Sequence, residues 1–135
     1  MALGEAERLL IADDDAEVLA AYVLFFEAHG YAIRTATDGI VALALYHVWR
    51  PIAVILDVQM PRLDGREVAR GIRRHGATPA PLLIAVSGLS SPAEEAESLG
   101  AGFDHHFVKP ARLTLIWAAI AFRTVHSGRF PIARL

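Results

Sequence analysis

The chain of 135 residues has the length of one domain, which can bury one hydrophobic core but not two. Its formal net charge of −2, with Lys and Arg residues scattered singly, gives no basic patch for nucleic acid or an anionic membrane. The chain has no cysteine, which excludes disulfides and thiolate chemistry and fits a reducing cytoplasm. No signal peptide and no apolar run of the roughly 20 residues that a membrane helix needs is visible. We therefore expect a cytoplasmic protein with neither nucleic-acid nor membrane partners.

Short apolar strands and helical patterns alternate from the start of the chain. The first strand, LLIA, is followed by a helix for which Asp15 is the predicted N-cap. The second strand, YAIRTA, is followed by a helix that begins at Asp38 and ends before Pro51. The first half of the chain therefore predicts two βα units.

The second half of the chain continues the alternation. The third strand, IAVILD, precedes an arginine-bearing helix, and the fourth strand is PLLIAVS. The sequence SPAE at 91–94 has the pattern of a capping box with proline at the first helical position. A last strand over about 105–108 and a last helix over about 113–125 complete five βα units.

Alternating βα units predict an α/β fold, because right-handed crossovers give a parallel sheet with helices on both faces. The simplest arrangement is a doubly wound, flavodoxin-like (βα)5 sandwich with a five-stranded parallel sheet of order 2-1-3-4-5. Ligands in such sheets bind outside the carboxyl ends of the strands, where the strand order reverses. The first and third strands flank that point in the predicted sheet.

Four of the predicted strands end at residues suited to phosphate or magnesium chemistry. The residues are Asp13 and Asp14, Asp57, Ser87 and Lys109. Taken singly, each has an ordinary explanation: a helix cap for the first acids, a turn for Ser87, a solvent-facing side chain for Lys109. Asp57 is harder to explain in such a way, because it ends a buried apolar strand, where an unpaired charge is costly. The joint pattern predicts one site.

Converging carboxylates repel one another unless a cation lies between them. Mg²⁺ prefers oxygen ligands in an octahedron and keeps several waters. We expect Asp14 and Asp57 to bind it directly, the Gln59 backbone carbonyl to be a third ligand, and Asp13 to act through water. A carboxylate can also be a nucleophile that forms an aspartyl phosphate, and Asp57 is the central candidate. Mg²⁺, Lys109 and the Ser87 hydroxyl would then neutralise charge on the phosphoryl oxygens.

These residues match a known family, since the sequence resembles the receiver domain of two-component response regulators. The motifs that carry the resemblance run over 9–122 and are LLIADDD, LDVQMPRLDG, AVSG and AGFDHHFVKP. The resemblance implies a receiver domain over 9–126, with an N-terminal tail over 1–8 and a C-terminal tail over 127–135.

The resemblance also implies a function. Asp57 would accept a phosphoryl group from a phosphohistidine on a histidine kinase or a histidine phosphotransfer protein. Asp13 and Asp14 would hold Mg²⁺, Lys109 would pair with the phosphoryl oxygens, and Ser87 would move to hydrogen-bond them. Such a domain is a signalling module, with self-phosphorylation and autodephosphorylation as its only catalysis. It would act either as a terminal output or as a phosphorelay shuttle.

The residue at the switch position departs from the family pattern. In receivers the hydroxyl movement is coupled to an aromatic residue on the fifth strand, usually Tyr or Phe, and alters the surface of the fourth helix, fifth strand and fifth helix. That position holds His106 here. Imidazole is smaller and polar, so we expect a switch that is shifted, weakened or sensitive to pH. Because His105 and His106 are adjacent on a strand, they should point to opposite faces.

The last helix is apolar most of the way round. Leu113, Ile116, Trp117 and Ile120 form a core stripe, whereas Leu115, Ala118, Ala119 and Phe122 fall outside it. A helix of this kind is often buried on more than one side. This pattern predicts a homodimer or an effector-docking surface.

Two alternative functions stay open at the level of sequence. One is a receiver-like interaction module that works without phosphorylation, which the unusual His106 favours and the intact acidic residues oppose. The other is an aspartyl-phosphate phosphatase of the haloacid dehalogenase type. Such enzymes need a second acid two residues after the nucleophile, where this chain has Gln59.

Overall fold

The computed structural model describes residues 4–126, with side chains through residue 123. Strands and helices alternate in chain order as follows: β1 (Arg8–Ala12), α1 (Ala16–Ala28), β2 (Ala32–Ala36), α2 (Gly39–Trp49), β3 (Ala53–Asp57), α3 (Gly65–His75), β4 (Leu82–Ser87), α4 (Pro92–Ala101), β5 (His105–Val108) and α5 (Leu113–His126). Residues 1–3 and 127–135 of the two predicted tails lie outside the described residues, so the tail boundaries stay predictions. In the described part of the chain, no helix has the length and apolar character needed to cross a membrane.

The five strands form one parallel sheet of order β2-β1-β3-β4-β5, which confirms the predicted α/β topology. The strand order reverses between β1 and β3, which are direct neighbours with Ala12 opposite Leu56. Asp57 lies opposite Val86 in the β3/β4 pair, and Ser87 lies opposite Val108 in the β4/β5 pair. This register brings the residues that end β1, β3, β4 and β5 to one edge of the sheet.

Side chains of the central strands alternate between two cores, one on each face of the sheet. Leu10, Leu56 and Leu83 pack toward α2, α3 and α4, where Tyr46 and Ile72 complete the core. The opposite core contains β-strand side chains together with the buried faces of α1 and α5: Leu9, Ile11, Ile55, Ile84, Leu19, Phe26, Ile116 and Ile120. Because helices cover both faces of the sheet, the residues of the central strands that point to either face are apolar, and the sequences of these strands are continuous apolar runs.

The helix starts follow the capping residues of the sequence. Asp15 is the N-cap of α1, as predicted, and its side chain accepts hydrogen bonds from two backbone N–H groups of the first turn. Ser91 caps α4, since its Oγ accepts from Glu94 N at 3.2 Å. The reciprocal half of the predicted capping box is wrong, because the Glu94 carboxylate pairs with Arg66 at 2.8 Å instead.

The exposed apolar face predicted for α5 is present. Ile116 and Ile120 are fully buried, and Leu113 and Trp117 pack against the same core. Leu115 is 49% exposed on the opposite side of the helix. The apolar surface of α5 therefore extends beyond the side of the helix that packs against the sheet.

Candidate functional site

Three carboxylates meet where β1 and β3 end. Asp13 and Asp14 follow β1, and Asp57 is the last residue of β3. One carboxylate oxygen from each lies within 4.8 Å of the others. Asp13 and Asp57 are only 2% and 3% exposed, whereas Asp14 faces solvent. The predicted convergence of these three acids is confirmed.

Local backbone contacts hold the two buried carboxylates. Asp13 Oδ1 accepts a hydrogen bond from Asp15 N at 2.9 Å, and Asp57 Oδ1 accepts one from Gln59 N at 3.2 Å. The chain after Asp57 is itself tied down, since Val58 N donates to the Val86 carbonyl at 3.0 Å. Backbone donors therefore orient one oxygen of each carboxylate and leave the other oxygen for further contacts.

Among the residues that the structure describes, Lys109 is the cation that pairs with this cluster. Its Nζ lies 3.1 Å from Asp57 Oδ2 and 3.4 Å from Asp13 Oδ2. Its backbone N–H donates to the Ser87 carbonyl at 2.8 Å, which fixes the residue directly after β5. Three carboxylates and one ammonium leave the pocket with an excess of two negative charges.

Burial and neighbouring charges shift the ionisation of this pocket. Burial raises the pKa of Asp57 and the Asp13 charge adds to the rise, while the Lys109 ammonium and the Gln59 N–H offset part of it. Burial opposes the charged form of Lys109, but its contacts with Asp57 and Asp13 raise its pKa overall. Burial also raises the pKa of the Tyr22 hydroxyl beside the cluster. The pocket therefore favours the binding of a further cation.

The donor set fits a hard divalent cation. All three side chains offer carboxylate oxygens, which suit Mg²⁺ and not the softer transition metals. An ion of charge +2 would cancel the excess charge of the pocket. Over residues 4–123, no second cluster of three His, Cys, Asp or Glu side chains has this geometry. The acidic triad is thus of the kind typical of a receiver Mg²⁺ site.

Ser87 ends β4 at the same edge of the sheet and is fully buried. Its Oγ accepts a hydrogen bond from Leu89 N at 3.0 Å. The hydroxyl proton is left to donate elsewhere, because the bond to Leu89 uses only a lone pair. Ser87 lies between the strand that carries Asp57 and the strand that leads into Lys109, as the sequence predicts.

His106 lies on β5 and faces α4. Its Nδ1 is 2.9 Å from Ser98 Oγ, and its Nε2 is 3.1 Å from the Leu89 carbonyl oxygen. His105 is exposed and its ring packs near Phe107, with 6.1 Å between centroids. The predicted opposite orientation of the two histidines is confirmed.

Sequence reasoning missed the contact between α3 and α4 at this site. Arg66 donates to Glu94 Oε1 at 2.8 Å, to Glu97 Oε1 at 3.0 Å and to Ser98 Oγ at 3.5 Å. The available signal was the spacing of Glu94, Glu97 and Ser98, which places them on one helix face. An arginine of a neighbouring helix is the natural partner for such a face.

Sequence reasoning also missed an apolar cavity of about 510 Å³ beside Lys109. It lies between α1 and the segment that joins β5 to α5. Its lining residues are Val18, Ala21, Tyr22, Val86, Lys109, Pro110, Ala111 and Leu113. The lining is almost wholly apolar apart from Lys109 and the Tyr22 hydroxyl, so the cavity can accept apolar groups next to the acidic cluster.

A parallel sheet of order 2-1-3-4-5 with three acids and a lysine at its carboxyl edge defines the class of phosphoaccepting receiver folds. The family model of the response regulator receiver domain matches residues 9–121. The chain therefore belongs to the response regulator receiver domain family, whose members are signalling modules rather than enzymes. This family leaves no support for the haloacid dehalogenase alternative.

Individual relatives agree with this family. The response regulator MprA of Mycobacterium sp. (strain KMS) is 41% identical over 106 residues, which cover 78% of this chain and 45% of that protein. This chain thus spans about half the length of the curated relatives that it matches.

Solved structures agree as well. The receiver domain of the NarL response regulator from Mycobacterium tuberculosis superposes with a TM-score of 0.81 at 25% identity, over 91% of this chain and 99% of that one. A chain of the CheX-CheY-BeF3-Mg+2 complex from Borrelia burgdorferi has a TM-score of 0.78 at 26% identity and covers 90% of both chains.

Proposed function

We propose that Asp57 accepts a phosphoryl group from a histidine kinase or a histidine phosphotransfer protein. The observation that carries this proposal is the geometry of Lys109, whose Nζ lies 3.1 Å from Asp57 Oδ2 within a buried acidic cluster. A nucleophilic carboxylate with an ammonium beside it has the charge arrangement that phosphoryl transfer needs. The complex of the Borrelia relative contains BeF3 and Mg²⁺, which supports the same chemistry here.

In the proposed step, an oxygen of the Asp57 carboxylate attacks phosphorus in line with the bond to the leaving group. The new O–P bond forms as the bond from phosphorus to the donor nitrogen breaks. The imidazole of the donor leaves with that electron pair. Asp57 Oδ2 is the oxygen that Lys109 contacts, whereas Oδ1 is held by Gln59 N.

The residues around Asp57 would neutralise the charge that builds up on the phosphoryl oxygens. Lys109 would contact one of these oxygens, and the Ser87 hydroxyl would donate to another. Asp13, Asp14, Asp57 and the Gln59 backbone carbonyl would hold Mg²⁺, with Asp13 acting through water. When bound, the ion supplies charge compensation for the phosphoryl group.

The apolar cavity supports a protein phosphodonor. A partner helix that carries a phosphohistidine has to bring its imidazole close to Asp57, and apolar side chains beside that histidine need a complementary surface. The cavity lies next to Lys109 and is bordered by Val18 and Ala21 of α1. The cytoplasmic location stays a prediction from the sequence.

We further propose that phosphorylation changes the α4-β5-α5 face through Ser87 and His106. Contact between this face and an effector or a second copy of the chain is supported by its exposed apolar side chains. Leu99 on α4, Val108 on β5 and Leu115 on α5 are each exposed. Each of the three elements of this face therefore presents an apolar side chain that a partner could cover.

The test is binding of beryllofluoride, which mimics a phosphoryl group, measured by calorimetry with and without Mg²⁺. We expect binding that needs Mg²⁺ and is lost in Asp57→Asn. The matched control is Glu95→Gln, which removes an exposed carboxylate of α4 and should bind like the wild type. Absence of binding in the wild type would favour the alternative of an interaction module that works without phosphorylation.

A further inference from the structure

A continuous series of hydrogen bonds connects Ser87 to α4. Leu89 N donates to Ser87 Oγ at 3.0 Å, and the carbonyl of the same residue lies 3.1 Å from His106 Nε2. The other ring nitrogen, Nδ1, is 2.9 Å from Ser98 Oγ. His106 therefore contacts α4 and the segment between β4 and α4 at the same time.

The partners of the imidazole define its hydrogen-bonding roles. A carbonyl oxygen can only accept, so Nε2 carries the proton and donates to Leu89 O. In the neutral ring Nδ1 is then an acceptor, and the Ser98 hydroxyl donates to it. The two ring nitrogens thus make one bond of each kind, which a phenyl ring cannot reproduce.

Ser98 is a firm anchor for this bridge. It is fully buried on α4. Its Oγ also lies 3.5 Å from Arg66 Nη2, and Arg66 is held by Glu94 and Glu97 on the same face of α4. The bridge made by His106 therefore ends at a point fixed by both α3 and α4.

The segment that His106 contacts lies at the surface, outside the two cores. Gly88, Leu89 and Ser90 are all exposed, and a Cβ at Gly88 would meet no atom within 4 Å. Ordering the backbone of a free segment costs conformational entropy, so a segment that His106 already holds in place loses less entropy when a ligand binds.

We propose that His106 is a positioning residue for Ser87. Its imidazole clamps the Leu89 carbonyl to Ser98, and Leu89 in turn holds the Ser87 hydroxyl at the edge of the phosphoacceptor pocket. This inference rests on the proposed function, in which Ser87 donates to the phosphoryl group. In this role His106 depends on the hydrogen bonds of both its ring nitrogens.

The first test compares His106→Phe with His105→Phe in the free protein and in the beryllofluoride complex. His105 is the matched control because it lies on the same strand and is exposed on the other face. We expect His106→Phe to speed hydrogen exchange at the Leu89 amide and to weaken beryllofluoride affinity, each by about fivefold, the factor for one lost hydrogen bond. His105→Phe should change neither. Unchanged exchange and unchanged or tighter affinity in His106→Phe would overturn the proposal.

A second set of variants separates positioning from packing. His106→Gln keeps a donor near the place of Nε2 and should recover most of the lost affinity. In a Ser87→Ala background, His106→Phe should have no further effect on affinity, because the hydroxyl that it positions is gone. An equal loss in both backgrounds would contradict action through Ser87.

The two proposals fail in different ways. If the wild type does not bind beryllofluoride with Mg²⁺, the proposed function fails. The clamp is then judged by Leu89 exchange and by the imidazole ¹⁵N signals, which should report a protonated Nε2 and an accepting Nδ1. A protonated Nδ1 with an unprotonated Nε2 would overturn the clamp itself.

Discussion

Asp57 has a carboxylate that is almost fully enclosed by protein, and its neighbours explain why that is tolerated. The ionised form has lost solvation, which raises its pKa. Gln59 N and Lys109 compensate in part. A compensated but still costly anion is a suitable nucleophile, because bond formation to phosphorus removes part of the charge from it.

Removing the Lys109 ammonium should strengthen Mg²⁺ binding. The ammonium and the ion would compete for the same two carboxylates, Asp57 and Asp13. We expect Lys109→Ala to bind Mg²⁺ about tenfold more tightly, the factor that about 1.4 kcal/mol of repulsion gives. Calorimetry measures the Mg²⁺ affinity, and Arg112→Ala is the control for the loss of an exposed cation. Weaker Mg²⁺ binding in Lys109→Ala would contradict this picture of the pocket.

The raised pKa of Asp57 predicts a pH-dependent gain in stability for Asp57→Asn. A carboxyl whose pKa is higher in the folded state than in the unfolded state binds protons more strongly when folded. Its favourable contribution is present below the unfolded pKa and is lost as pH rises through the folded pKa. Without divalent cations, Asp57→Asn should therefore raise Tm by a few degrees at pH 7.

The gain of Asp57→Asn should shrink as the pH falls below the ordinary range for aspartate. Thermal unfolding of both proteins at several pH values measures the difference. A difference in Tm that is constant across pH, or that grows toward acid pH, would contradict the raised pKa.

At the residue scale, the sequence predicts which side chains meet but not how each is bonded. Asp13, Asp57 and Lys109 could be placed together because each follows an apolar strand. The bonds of His106 to Ser98 and Leu89 could not, since they depend on the rotation of α4 about its own axis. Hydrophobic patterning does not determine that rotation for a helix with few buried side chains.

At the scale of the elements, the start of α3 packs closely against the strand end that carries Asp57. It begins at Gly65, whose N–H donates to the Val58 carbonyl at 2.9 Å. A Cβ at this position would overlap the Asp57 carbonyl oxygen and lie 2.9 Å from Val58 Cα. The backbone at the start of α3 therefore lies in contact with the end of β3. Only glycine fits at this position, because a side chain would overlap the backbone there.

Gly65→Ala should destabilise the protein and distort the acidic cluster. We expect a loss of about 1–3 kcal/mol in the free energy of unfolding, the usual cost of overpacking, together with weaker Mg²⁺ binding. Gly100→Ala is the control, because Gly100 is exposed in α4 with no atom near the added methyl group. Denaturant unfolding should find Gly100→Ala neutral or up to about 1 kcal/mol more stable. Equal effects of the two substitutions would contradict the close approach.

Helix positions were predictable where a capping residue and a one-sided apolar stripe coincide. Asp15 and α1 are one case. In α2 the apolar residues surround the helix, so the sequence did not show that Ala42 and Tyr46 are buried while Ile40 and Val48 are exposed. The second half of the capping box failed for an electrostatic reason, since an arginine of α3 is a stronger partner for Glu94 than a backbone N–H.

At the scale of the whole molecule, the strand order brings the site together from four separate parts of the chain. Alternating βα units predict that order, because right-handed crossovers leave few arrangements of five parallel strands. The apolar cavity beside Lys109 was not predictable, since it depends on the distance between α1 and the chain after β5. Cavities of this kind arise from packing and have no sequence motif.

The exposed apolar face of α5 predicts self-association on activation. With Mg²⁺ and beryllofluoride, the proposed α4-β5-α5 contact should shift the mass found by light scattering from that of a monomer toward a dimer. Leu115→Glu should prevent the shift without loss of beryllofluoride binding, because Leu115 is 49% exposed and lies on α5, which carries none of the three acids. A monomer under all conditions would exclude the homodimer and leave an effector as the partner of this face.

The most direct test of the central claim is intact-protein mass spectrometry after incubation with Mg²⁺ and acetyl phosphate. We predict the added mass of one phosphoryl group, lost on treatment with base, that requires Mg²⁺ and is absent in Asp57→Ala. An adduct that persists in Asp57→Ala, or no adduct in the wild type under any Mg²⁺ concentration, would contradict phosphorylation at Asp57.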